Sequence, residues 1–222
     1  MAPGRGCEMK IPEPIRRFFR RFAISNLMNY IVFGMATVYI LDLLLPINLY
    51  AMLYLDRSMV LSGQIWRLLT FTILPPNSSL IFILLSLYLY WMIGIVLENQ
   101  WGTVKFNMFY WTGVLGNIIA AMISGGATNH FLNLSLFLAF AVMNPDFQLT
   151  LFFFLPVKMK YLAMLDAALY LYYFITGGLS TKLMIIFALL NLFLFLGGDI
   201  INTIRREKQY WKTRRNFRKN MR

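Results

Sequence analysis

His130 is the one histidine in 222 residues, and it heads the fourth of six apolar segments, where ionisable groups are otherwise scarce. A hydrolase built on serine and histidine needs an imidazole that takes the nucleophile's proton and returns it to the leaving group. Ser124 and Ser135 are the serines nearest His130. Ser135 lies five residues along the same predicted helix, so it points about 140° away round the axis. Ser124 would reach His130 only through an unusual loop. A lone His with no Cys beside it and no adjacent Glu or Asp is also a poor metal site, and no cofactor is implied. The plain reading of His130 is a polar residue that faces an outer cavity or bonds a loop carbonyl. The sharper reading is a pH-sensitive contact with a bound segment.

The elements that position such a residue are membrane helices. Hydrophobic residues make up 59% of the chain and charged residues 14%, against about 25% charged in soluble proteins. The apolar runs are 27–45, 80–97, 106–123, 131–143, 161–175 and 183–201. A full span takes about 20 residues, so the fourth and fifth are short and need protein around them. Residues 1–23 carry six Lys or Arg and residues 203–222 carry nine, which predicts both termini on the cytoplasmic side. With six helices, Lys105, Lys158 and Lys160 fall on that side too, leaving only Arg57, Arg67 and Lys182 opposite.

This divides the chain into a basic amphipathic cytoplasmic N-terminus (1–23), a six-helix membrane domain (24–202) and a basic cytoplasmic tail (203–222). In the first, Phe18, Phe19 and Phe22 interleave with arginines, as in an interfacial helix. The tail follows a membrane helix directly, which suits anionic lipid headgroups better than nucleic acid. No cleavable signal is evident, because the first apolar run is too long for one. Cys7 is the only cysteine, which excludes an intramolecular disulfide. Asn77 opens a sequon that would matter only in a eukaryotic secretory pathway. Short inner connections point to a bacterial plasma membrane, with the endoplasmic reticulum membrane as the alternative.

The first outer loop, 46–79, is too long for mere linkage. Asn144 and Pro145 stop the fourth helix, and residues 147–155 form a greasy segment too short to span. Ionisable residues within apolar spans are functional candidates that need a partner. Asp42 and Asp199 are close enough to helix ends to be interfacial. Asp166 lies about 9 Å in from Lys160 by helix rise, where a snorkelling lysine or local water would satisfy it. Gly113, Gly116, Gly125 and Gly126 read as close helix contacts and a turn.

Three pieces carry a resemblance to the rhomboid family, including its proteolytically silent Derlin-type branch. They are Gln64 to Thr70, with Trp66 and Arg67; Leu97 and Glu98 with Trp101, Gly102, Phe106 and Tyr110; and Ala139 to Val142, Pro145 and the stretch 152–160. Together they span about residues 60–200. The resemblance implies a six-helix bundle whose first loop lies partly in the outer leaflet, held by Arg67 binding loop carbonyls, with a short fourth helix under a water-accessible cavity. It also implies that the nucleophile's place is taken by His130 and the general base's by Phe195. The oxyanion-stabilising pair of helix two falls near Phe82 and Ser86.

The resemblance and the lost chemical positions together imply a pseudoprotease that engages transmembrane segments of client proteins, in quality control or trafficking, without cleaving them. His130, Asn133 and Asp166 are the candidate client or cavity contacts. A noncanonical rhomboid-type serine protease is the main alternative. A small transporter or channel is the third, suggested only by Asp166, Asn117, Asn133 and Asn191. No internal repeat favours it.

Overall fold

The computed structural model describes residues 20–21, 23–76, 78–151 and 155–197. Cys7, the N-terminal arginines up to Arg17, Asn77, Asp199 and the basic tail lie outside them. The chain is mostly helical. From Leu27 on, nine α-helices follow one another among the described residues: α1 Leu27–Leu44, α2 Leu49–Leu53, α3 Arg57–Leu61, α4 Arg67–Thr70, α5 Leu80–Trp101, α6 Thr103–Ser124, α7 His130–Met143, α8 Met159–Thr176 and α9 Leu179–Gly197. Of these, α1, α5, α6 and α9 are long and apolar enough to cross a membrane. Their outward residues are what lipid would cover: Phe33 is 75% exposed and Leu44 73%.

The all-α expectation needs one amendment, because two short strand pairs join the helices. Strand β1, Leu55–Asp56, pairs antiparallel with β2, Gly126–Ala127. Strands β3, Gln148–Leu151, and β4, Leu155–Lys158, form a hairpin in which Pro156 sits opposite Thr150. The greasy segment read from sequence is this hairpin. A two-stranded ribbon leaves an outer edge on each strand, so a proline costs it no ladder bond there.

The connection between α5 and α6 is shorter than the sequence suggested. Both helices run up to a single residue, Gly102, at φ 79° and ψ 154°. A positive φ of this kind is open to glycine and strained for a residue with a Cβ. Beside this turn, the Glu98 carboxylate, 8% exposed, accepts the Asn26 N–H at 2.9 Å. Asn107 accepts from Ile24 N–H and donates to Ile24 O. The chain entering α1 is therefore pinned by two polar side chains from the α5–α6 hairpin, and Asn26 can adopt its left-handed φ of 55°.

Helix α5 is central, packing on α1, α6 and α7, while α8 packs on α7. Helix α7 has 14 residues, about 21 Å by rise, against about 30 Å of hydrocarbon in a bilayer. His130 is its only exposed residue, and every position from Phe131 to Met143 is buried or half-buried. Protein surrounds this helix where lipid would otherwise demand length. The same expectation does not hold for the fifth run, because α8 extends to 18 residues and buries only Met159 and Tyr170.

Helices α6 and α9 meet in an antiparallel ladder. Ser180 bonds Ser124 at 3.0 Å. Phe187 then covers Gly116 and Asn191 covers Gly113, with Asn191 Nδ2 donating to Phe109 O at 3.1 Å. Phe195 closes the ladder edge-on against Phe109 at 5.5 Å. The two glycines make the approach possible, since a Cβ at Gly113 would lie 3.0 Å from Asn191 Nδ2 and one at Gly116 3.3 Å from Phe187 Cβ.

Candidate functional site

The first loop is a small structured unit clamped by one arginine. Arg67 is 7% exposed. Its guanidinium donates to Gln64 Oε1 at 2.7 Å, Ala51 O at 2.8 Å and Tyr54 O at 2.6 Å. One rigid fork thus ties the end of α2 to the start of α4. Its neighbour Trp66 is 54% exposed and turns outward. Asp56 caps α3 by accepting from the Ser58 hydroxyl and from Ser58 and Met59 N–H. Those donors hold its carboxyl below the usual aspartate range. Asp42 accepts the Leu49 N–H at 2.9 Å and so starts α2.

The β1–β2 pair fastens this loop to the α6–α7 connection. Gly126 is required there, because a Cβ would sit 2.5 Å from Tyr54 Oη and 2.9 Å from Leu55 O. Asn129, buried at the head of α7, donates through Nδ2 to both Thr72 O and Leu74 O. Its partners lie more than fifty residues back in the chain, so its neighbours in sequence give no sign of this long-range staple. Asn129→Ala strands two buried carbonyls and should cost about 2 kcal/mol. Limited proteolysis of the first loop, faster than in wild type, checks this.

Between the loop and α7 lies a cavity of about 510 Å³. Pro75 and Pro76 border it from the loop, and Thr128, His130 and Asn133 from the α7 end. Tyr50, Tyr90, Asn129, Tyr173 and Thr181 complete its polar lining. Burial pushes the Tyr50 hydroxyl above the ordinary phenol range, which keeps it a donor. A smaller cavity of about 270 Å³ shares Tyr50, Pro75 and Pro76 and reaches Asp42. The arrangement can exchange hydrogen bonds with an inserted polar or backbone group.

His130 sits on the rim, exposed, with its backbone N–H 3.4 Å from Thr128 Oγ1 and its ring edge-on to Phe131 at 5.2 Å. Neither nearby serine is offered to it. Ser135 is buried and donates to Leu132 O, and Ser124 donates to Ala120 O while accepting from Ser180. Among the described residues no three His, Cys, Asp or Glu converge on a common point.

The other sequence candidates scatter. Phe195 does not meet His130. Thr181 is the α9 residue that shares the cavity with His130, and Phe195 lies fourteen residues further on, about 21 Å by rise. It sits instead in the aromatic cluster of Trp101 and Phe109. The resemblance places Phe195 by its offset along the chain, whereas depth is set by the α6–α9 ladder. Phe82 is exposed, Ser86 is half-buried, and neither lines the cavity. The α5 residue that does is Tyr90, which no sequence motif singles out. Asn133 lines the cavity with its Oδ1 buried and without a partner. Asn117 and Asn191 belong to the α6–α9 seam beside Gly113 rather than to a line with Asp166.

No family model matches this chain, and no curated protein or solved structure matches it either.

Proposed function

We propose that the chain is a rhomboid-like pseudoprotease, a six-helix bundle with both termini cytoplasmic that binds transmembrane segments of client proteins without cutting them. The observation that carries this reading is the polar cavity over a short, protein-wrapped α7 whose only imidazole has no serine hydroxyl presented to it. A proton acceptor without a nucleophile cannot begin acyl transfer. Polar groups at such depth, with neither lipid nor a complete set of internal partners to satisfy them, offer hydrogen bonds to a client helix that is itself unstable in lipid. The buried, unpartnered Asn133 Oδ1 is one such group. The clamped first loop supports the resemblance, because Arg67 binds loop carbonyls as that family's architecture implies. Anionic lipid headgroups at the basic termini and a bacterial plasma membrane complete the proposal, with the endoplasmic reticulum membrane as the alternative.

The test is reconstitution in liposomes with labelled single-span substrates, a fluorophosphonate probe and a photocrosslinker. The expected result is crosslinked client, no cleavage and no probe labelling. Cleavage or labelling that disappears on replacing one serine or His130 would instead make the protein a noncanonical intramembrane serine protease.

A further inference from the structure

Helix α8 is nearly uncovered. Of its 18 residues only Met159 and Tyr170 are buried, and Leu162, Ala163 and Asp166 are half-buried. Those five recur at helical spacing and form one narrow stripe. Asp166 is the eighth residue of the helix, so it lies near mid-depth with an apolar turn on either side.

Nothing in the described chain satisfies its carboxylate. Asp166 Oδ2 is buried without a hydrogen-bond partner. Lys160, the cation that sequence reasoning offers for it, lies over the Tyr161 ring with Nζ 5.2 Å from the centroid. The groups that reach Asp166 bring no compensating charge. Tyr90 of α5 and Tyr170 of α8 are both within its electrostatic reach, but Tyr170 Oη is directed to Phe131 O at 3.4 Å. Asn133, beside Tyr90, leaves its Oδ1 unpaired although the residue is only 4% exposed.

An unpaired acid within an apolar span is costly and is met by a partner. A second copy of this chain would bring only another aspartate. We infer that Asp166 and Asn133 form a recognition site for a basic residue, Lys or Arg, carried at mid-depth in a client's transmembrane helix that docks beside α8, at the edge of the stripe where Asp166 is half-buried. This rests on the client-binding reading and names the feature it selects. A lysine has three donors, enough for Asp166 Oδ2, Asn133 Oδ1 and a phenol oxygen, and its long stem lets it reach a half-buried carboxylate from the lipid side.

The full-length protein in lipid nanodiscs is titrated with two labelled polyleucine-based helices that differ only in a central Lys or Leu. Wild type should bind the Lys helix about tenfold more tightly, the scale of one good polar pairing in a membrane. Asp166→Asn should reduce that preference to about onefold, and Asp166→Glu should restore most of it. A Lys helix bound no better than the Leu helix by wild type overturns this inference while leaving general client binding intact. So does a preference that persists in Asp166→Asn. Competition by Na⁺ but not by choline at equal ionic strength overturns it as well, assigning the site to a small cation. If neither helix binds, the client-binding reading falls with it.

Discussion

Arg67→Ala should lower the melting temperature of the purified protein by about 10 °C. The guanidinium is buried and spends three donors on Gln64, Ala51 and Tyr54. Alanine leaves two backbone carbonyls without donors inside the loop. Bonds to charged groups are worth about 1.5–3 kcal/mol each, and a stranded buried acceptor costs about 1–3 kcal/mol. Together these imply a loss of about 3–5 kcal/mol, and a chain of this size shifts by about 2–4 °C per kcal/mol. Arg67→Lys should recover less than half, because an ammonium cannot span acceptors set out for a planar fork. Thermal unfolding in detergent reads the size of the effect. Proteolytic cleavage confined to residues 46–79 shows whether it is local. Equal melting of Arg67→Ala and wild type would mean that the clamp adds nothing to stability.

Gly94→Leu should prevent stable assembly of α1 against α5. Even a Cβ at Gly94 would overlap both Cβ and Cγ of Met28, and Met28 is 1% exposed. A flexible side-chain tip can swing away from such a clash, but Met28 Cβ moves only if the backbone of α1 moves. Overpacking costs about 1–3 kcal/mol for a few atoms, and a leucine adds three more heavy atoms in the same place. The milder Gly94→Ala gains up to about 1 kcal/mol in helix propensity and should still destabilise on balance. Combining it with Met28→Ala removes the Cγ conflict and leaves the Cβ one. The pair should therefore be more stable than the two single losses added together, by about 1 kcal/mol in a double-mutant cycle. Strict additivity would show that the two helices do not touch there in solution.

The helices are legible because apolar runs bounded by Pro, Gly and Asn follow from one-dimensional composition. The brevity of the fourth run also predicts that protein encloses it, and α7 is enclosed along its length. The role of Arg67 is legible only through the resemblance, which implies that it binds loop carbonyls, whereas its neighbours in sequence suggest no more than an outer-leaflet cation beside a tryptophan. What escapes reading depends on partners far along the chain. Asn129 bonds Thr72 and Leu74, more than fifty residues away. Likewise β1 and β2 are two residues each, too short for any alternation to show, and exist only because the loop closes over α7. The separation of Phe195 from His130 escapes reading for a related reason: spacing within one helix carries no information on how far that helix has slid along its neighbour. The Ser124–Ser180 bond and the Gly113 and Gly116 contacts fix that slide.

The single narrow stripe of α8 also has an evolutionary meaning. A helix that buries Met159 and Tyr170 and little else leaves most of its positions under almost no constraint from the core. Substitutions at Met164, Leu165, Leu171 or Ile175, each more than half exposed, change what the protein presents sideways while its interior stays intact. Among descendants of this sequence, α8 is where drift in the outward face would be fastest, and Asp166, in the covered stripe, is the α8 residue whose persistence or loss would be most telling.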